Sequence, residues 1–181
     1  MTPTTMRAVV LEAPGPVANL RVRQIPIPAP QPGWVRIRIH AFGLNRSEPH
    51  TRLGLAEGVT FPRVPGIEAT GVVDLAPGGE FEPGQQVMTM MGGMGRVFDG
   101  GYAEYTCVPA GQVIAFRSDL GWATLAALPE MLQTAYGSLT VGLDLQPGQS
   151  LLIRGGSSSV GMAAAVLAKR RGALVFATTR D

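Results

Sequence analysis

Short apolar alternations recur along the first two thirds of the chain, each closed by glycine and proline. Val35, Ile37, Ile39 and Ala41 alternate with Arg36, Arg38 and His40, the period-two pattern of a strand with one buried and one charged face. That register puts His40 on the outer face. The same texture predicts strands at Arg7 to Leu11, Leu20 to Ile25, Ala69 to Leu75, Gln86 to Met91, Tyr102 to Val108 and Gln112 to Ala115. Turn-rich segments such as Pro28 to Gly33 and Ala76 to Gly84 separate them. So many short strands in succession predict a barrel or sandwich.

The period changes near Leu120. Leu125, Leu128, Leu132, Ala135, Tyr136 and Leu139 keep helical spacing, but Pro129 cannot sit inside a helix, so a break is expected there with Pro129 opening a second helix. After Gln146-Pro147-Gly148, Ser150 to Arg154 reads as a buried strand and Gly155 to Gly161 as a Gly/Ser turn. Val160 to Arg171 then reads as a helix and Ala173 to Thr178 as a second strand. That succession is one βαβ unit. The expected fold class is α/β with a large β part.

Composition narrows the class. Of the 181 residues, 45% are apolar and 15% charged, the balance of a folded domain or two small ones rather than a disordered tail or coiled coil. The 24 glycines and 15 prolines fit many turns and short strands. The net charge is only +2, and the pI of 9.1 arises because 14 of the 15 basic residues are arginine. The arginines are scattered, apart from Arg170-Arg171, and no basic run is interleaved with aromatics, so no nucleic-acid partner is expected. No window reaches the ~18 apolar residues of a membrane helix, and Met1 to Arg7 lacks the core of a secretory signal. No membrane partner is expected, and a cytoplasmic location is. Cys107 is the lone cysteine and His40 and His50 are the two histidines, too few for an internal disulfide or a cysteine-rich zinc site.

The Gly/Ser turn carries the clearest chemistry. Glycines allow a tight turn and close backbone approach, and amides at a helix start favour an anion such as a dinucleotide pyrophosphate. The spacing is G-G-x-x-x-x-G rather than G-x-G-x-x-G, so the turn also reads as a plain strand-to-helix connection, and the surrounding βαβ unit favours the cofactor reading. An NAD site usually places a carboxylate at the end of the next strand to hold the ribose hydroxyls. Here Ala177-Thr178-Thr179-Arg180 offers two hydroxyls and a guanidinium, which suit a 2′-phosphate and favour NADP(H) over NAD(H). Arg180 also reads as a solvated residue partly neutralised by Asp181.

Two other features carry paired readings, and Cys107 a single one. Glu68, in an apolar setting, is either a tuned acid or the holder of a backbone or arginine partner, the second being favoured. Cys107, in an alternating strand, reads as a small core residue. The loop Met90 to Gly95 is either an apolar wall over a substrate cleft or a mobile surface loop.

Taken in order, these segments resemble the medium-chain dehydrogenase/reductase superfamily, in its zinc-independent quinone oxidoreductase-like branch. The resemblance lies in Ala41-Phe42-Gly43-Leu44-Asn45-Arg46-Ser47-Glu48, in a P-x-x-x-G-x-E-x-x-G-x-V signature running from Pro62 to Val73, in Gly100 to Tyr105, in Leu128-Pro129 with Thr134 to Tyr136, and in the phosphate turn. It implies a GroES-like β-barrel catalytic domain followed by the first βαβ unit of a Rossmann domain. The implied divisions are residues 1–122, connecting helices 123–148, and an incomplete cofactor domain 149–181.

Zinc-dependent relatives carry cysteine and histidine where this chain has Asn45 and Ile67, so no metal is expected. The implied activity is NADPH-dependent hydride transfer to a quinone, enone or carbonyl compound. Asn45 and Thr134 would flank the nicotinamide, Gly156, Ser157, Ser158, Ser159 and Val160 would line the pyrophosphate, and Thr178, Thr179 and Arg180 would face the adenosine ribose. Asn45 and His50 are the candidate catalytic residues. His50 and Ala56 stand where some quinone reductases carry tyrosines, so His50 reads as a proton donor or substrate ligand, or as a solvent-facing loop residue.

The family continues through further Rossmann strands, used in dimers, that do not follow here. A single βαβ unit leaves an open parallel edge and an uncovered apolar face. Two readings therefore stand: the N-terminal part of an oxidoreductase, or a non-catalytic module that binds nucleotide weakly or self-associates through its open edge.

Overall fold

The computed structural model describes residues 4–179. They form two compact units, one up to Pro129 and one from Glu130 on.

The first unit is built from antiparallel strands. β1 (Thr5–Leu11) pairs with β2 (Leu20–Pro26) in a ribbon with Val9 opposite Val22. A five-stranded sheet follows, made of β3 (Trp34–Ala41), β4 (Glu68–Leu75), β5 (Gln86–Met90), β6 (Tyr105–Pro109) and β7 (Val113–Ala115), in the order β6-β3-β4-β5-β7. β4 is the central strand, paired on both sides and buried along most of its length, as a strand covered on both faces must be. Val35, Ile37, Ala69, Val73, Val87, Met94 and Val108 form its core. The β1–β2 ribbon adds a second cluster of Met6, Ala8, Val10, Val64 and Ala103, and is bridged to the segments preceding β6 and β4 from Ala8 to Ala103 and from Leu11 to Arg63.

The charged face of β3 is organised as its alternation predicts. Arg36 donates to Asp74 at 2.6 Å and to the Pro28 carbonyl at 3.1 Å. His40 is exposed, and its ring stacks on Trp122 at 4.5 Å with the planes 13° apart. Partial burial, and then the Arg38 charge, hold its imidazole below the usual range. Trp122 opens the short helix α2 (Trp122–Ala126), and α3 (Pro129–Gly137) starts at the proline, which fills a first-turn position where its missing N–H costs nothing.

α3 runs directly into one π-type turn, Ser138–Gly142, anchored by buried Leu139. Ser138 and Thr140 return their hydroxyls to the carbonyls of Thr134 and Tyr136, and this local competition for backbone acceptors accompanies the loosened turn. In the second unit β8 (Ser150–Arg154) and β9 (Leu174–Thr178) pair in parallel, with α4 (Ser159–Arg170) between them in sequence. Leu139, Leu145, Leu151 and Ala168 form its core. The run Ser150 to Arg154 is not buried throughout: Leu152 is 68% exposed because α4 covers one face of the ribbon and the alternate side chains point from the other.

One other expectation changes. Cys107 is only partly buried, and its thiol donates to the Pro28 carbonyl at 3.6 Å. The segment from Met90 to Gly95, which reads as either a cleft wall or a mobile loop, is anchored by packing and hydrogen bonds. Met90 and Met94 are buried, the Met91 amide donates to the Ile67 carbonyl, and Gln112 donates to the Gly92 carbonyl.

Candidate functional site

The chain leaves β3 through Gly43, where any side chain would collide with the Glu68 carboxylate and would lie 3.0 Å from the Ala126 carbonyl. Glycine lets the loop pass this close, and the loop then presents Asn45, whose Nδ2 donates to Glu68 Oε1 at 2.7 Å. Glu68 is buried at the start of β4, and the Asn45 side chain is one of its partners.

A second buried carboxylate lies beside it. Glu48, on α1 (Ser47–Arg52), accepts from the Asn45 amide at 2.7 Å, from the Ile67 amide at 3.2 Å and from the Tyr102 hydroxyl. Three donors offset the cost of burying the charge. One side chain thereby ties together the loop after β3, the approach to β4 and the approach to β6. Tyr102 also stacks on Phe42 at 4.7 Å. Burial first, then its bond to Glu48 and the charges of Glu48 and Glu68, push the Tyr102 phenol well above its ordinary range. A cavity of about 240 Å³ lined by Leu44, Asn45, Glu48, Pro49, Pro65 and Tyr102 opens beside this cluster.

The other face of α1 looks outward. Ser47 and His50, three positions apart, line a pocket of about 490 Å³ with Arg46, Thr51, Glu57 and Arg96. Arg96 is held there by donation to the Glu57 carbonyl at 3.0 Å. The structure thus places Asn45 and His50 on adjoining segments of the first unit.

The phosphate-turn residues come together at the start of α4. Gly155 adopts φ +83°, and its amide and that of Gly156 donate to the Thr178 carbonyl at 3.0 and 2.8 Å. A Cβ on Gly156 would lie 2.5 Å from the Ala177 Cβ, and one on Gly161 would lie 2.5 Å from the Gly155 carbonyl oxygen. These glycines bring turn, helix and strand into contact that no side chain permits. Ser158 caps the helix, its hydroxyl accepting from the Gly161 amide at 3.0 Å and donating to the Gly155 carbonyl at 2.9 Å. The amides of Ser157, Ser159 and Val160 keep no partner among the described residues. They form a small donor cluster at the positive end of the helix.

Ser157 lies 3.0 Å from the Thr179 hydroxyl, which links the turn to the end of β9, where Thr178 is also exposed. Arg180 lies outside the described residues. Thr134 is exposed on α3, in the second unit, and its hydroxyl donates to Glu130 at 2.6 Å. Among the described residues no cluster of three or more His, Cys, Asp or Glu could hold a metal ion, and no helix is long and apolar enough to cross a membrane.

Sequence reasoning missed Glu48 and Tyr102. In sequence Glu48 appears only inside the run Ala41 to Glu48, and Tyr102 as one aromatic opening a strand. The available signal was their occurrence in two of the segments that carry the family resemblance, beside Asn45 and in the run Gly100 to Tyr105.

Residues 31–118, which contain the five-stranded sheet, match the alcohol dehydrogenase GroES-like domain. The chain is 32% identical over 177 residues to a quinone oxidoreductase of Pongo abelii, covering 96% of this chain and 52% of that protein. It is 34% identical over 167 residues to the synaptic vesicle membrane protein VAT-1 homolog-like of Mus musculus, covering 90% of this chain and 38% of that protein. The crystal structure of the human VAT-1 homolog-like protein superposes with a TM-score of 0.88 at 32% identity, over 97% of this chain and 56% of that one. The chain therefore spans about half the length, or less, of these relatives.

Proposed function

We propose that this chain, which belongs to the medium-chain dehydrogenase/reductase superfamily in its quinone oxidoreductase-like branch, provides the catalytic unit and the first part of the NADP(H)-binding unit of an oxidoreductase. Its substrate is a quinone, enone or related carbonyl compound, and no metal takes part. The observation that carries this reading is the turn at the start of α4. Gly156 and Gly161 keep a cradle that a Cβ would fill, and the amides of Ser157, Ser159 and Val160 stand open to a pyrophosphate.

When bound, the nicotinamide supplies the hydride. The chain's own residues then have three tasks. The turn would hold the diphosphate, with Thr178 and Thr179 available to the ribose phosphate. Asn45, its side-chain nitrogen committed to Glu68, would keep Oδ1 for the nicotinamide carboxamide. His50, lining the pocket beside α1, serves the substrate as ligand or proton donor.

The metal-free reading is supported by the donor set. Asn45 and buried Ile67 occupy the positions of the zinc ligands of related enzymes, and an amide and an alkyl group do not replace thiolate and imidazole. A cytoplasmic location fits the same reading.

Titration with NADPH and NADH, followed by mixing with a quinone or a simple enone, tests the proposal. NADPH is expected to bind about tenfold tighter than NADH and to be oxidised when acceptor is added. Equal binding of the two would remove the case for NADP(H), and no oxidation would remove the case for catalysis by this chain.

A second reading is favoured by one observation. Leu152, Leu174 and Phe176 are each more than half exposed on the face of the β8–β9 ribbon opposite α4. Such a face suits a module that self-associates, and sedimentation at increasing protein concentration would reveal it.

A further inference from the structure

The pocket on the outer face of α1 carries charge that a neutral quinone or enone does not need. Arg46 and Arg96 both line it, and neither guanidinium is paired with a carboxylate among the described residues. The one acidic residue of the lining, Glu57, binds Arg96 through its backbone carbonyl. That bond fixes the Arg96 guanidinium at the pocket without neutralising it. Ser47 and His50 add a hydroxyl and an imidazole from one face of α1, while Glu48 faces the opposite way and is consumed by its own donors. The pocket's volume of about 490 Å³ accommodates a small organic molecule.

We infer that this pocket recognises an oxyanion, a carboxylate or a phosphate, carried by the substrate, with Arg46 and Arg96 as its ligands and Ser47 and His50 as neighbouring polar contacts. Guanidinium groups bind such anions by planar paired donation, which a neutral ketone cannot exploit. The inference deepens the proposed function, since it names the charge of the acceptor, and it makes the substrate an anionic carbonyl compound. Both guanidiniums are exposed, so the preference is screened by salt.

Calorimetric titration of the cofactor-free chain at low ionic strength tests this, using β-benzoylpropionate, its methyl ester and phenyl phosphate as probes. The acid is expected to bind about tenfold tighter than the ester, and added salt is expected to narrow the difference. Arg46→Gln and Arg96→Gln are each expected to reduce the preference to about twofold or less, whereas Arg23→Gln, on β2 and paired with Glu12, leaves it unchanged. The Arg46 side chain makes no hydrogen bond to the backbone among the described residues, so its variant keeps the test sound if Arg96→Gln disturbs the loop. Stronger binding of phenyl phosphate than of the acid identifies a phosphate as the anion, and the reverse identifies a carboxylate. Equal binding of acid and ester together with no binding of phenyl phosphate overturns the inference, as does an acid preference retained in both variants. If neutral enones are reduced without any acid preference, the inference falls and the proposed function stands; if the preference is present and NADPH is never oxidised, the proposed function falls instead.

Discussion

Asn45 Nδ2 donates to Glu68 Oε1 at 2.7 Å, so the asparagine amide is oriented by a buried carboxylate before any ligand arrives. Asn45→Asp would set a second carboxylate against the first, and two such groups share one proton rather than ionise together. The variant is expected to lose about 1–3 kcal/mol at neutral pH and to recover part of that loss on acidification, as read by urea unfolding at a series of pH values.

Tyr102 gives a second test. Tyr102→Phe removes one of the three donors to Glu48 and is expected to cost about 1–3 kcal/mol. The sign of the pH dependence follows from the raised phenol. The folded state holds its proton more tightly than the unfolded chain, whose phenol titrates near 10.0, so the stabilisation is complete below that pH and declines as pH rises above it. Alkaline unfolding should therefore be steeper in the parent protein than in Tyr102→Phe.

At the phosphate turn, Gly156→Ala places a methyl 2.5 Å from the Ala177 Cβ. Parting β9 from the turn moves the Thr178 carbonyl that holds both glycine amides. NADPH affinity is expected to fall by about tenfold or more in a fluorescence titration, with a stability loss of about 1–3 kcal/mol.

Ser158→Ala separates the cap from the cradle. It removes the hydroxyl that accepts from the Gly161 amide, at a cost of about 1 kcal/mol, and leaves the glycines in place. Thermal unfolding should register the change, while NADPH affinity should fall less than in Gly156→Ala.

Cys107 supplies a prediction about reactivity. Burial pushes its thiol up to about 11, with the Arg36 charge acting in the opposite direction. At pH 8 only about one thiol in a thousand is ionised, so reaction with a disulfide reagent is expected to be slow and to accelerate steeply toward pH 11.

The strands and the Pro129 break were legible because they rest on local rules: a period of two, turn residues, and a ring that cannot enter a helix. The glycine turn was legible for the same reason. Exposure of Leu152 was not, because the difference between a strand covered on two faces and on one lies in what packs against it, not in its own residues. Glu48 and Tyr102 were hidden for a related reason. Their roles depend on three segments meeting, and Glu48 is 54 positions from Tyr102 in sequence. Asn45 drew notice through resemblance, but its bond to Glu68 required the close passage at Gly43 that only the folded chain reveals.

The carboxylate of Glu48 works as a rivet rather than as a reagent. It is driven through a six-residue helix whose opposite side forms the wall of the arginine-lined pocket. Helix α1 is too short to hold its angle by backbone bonding alone, so its bearing is set by what Glu48 grips. The wall and the rivet therefore tilt together, so a shift of Glu48 would carry Ser47 and His50 with it.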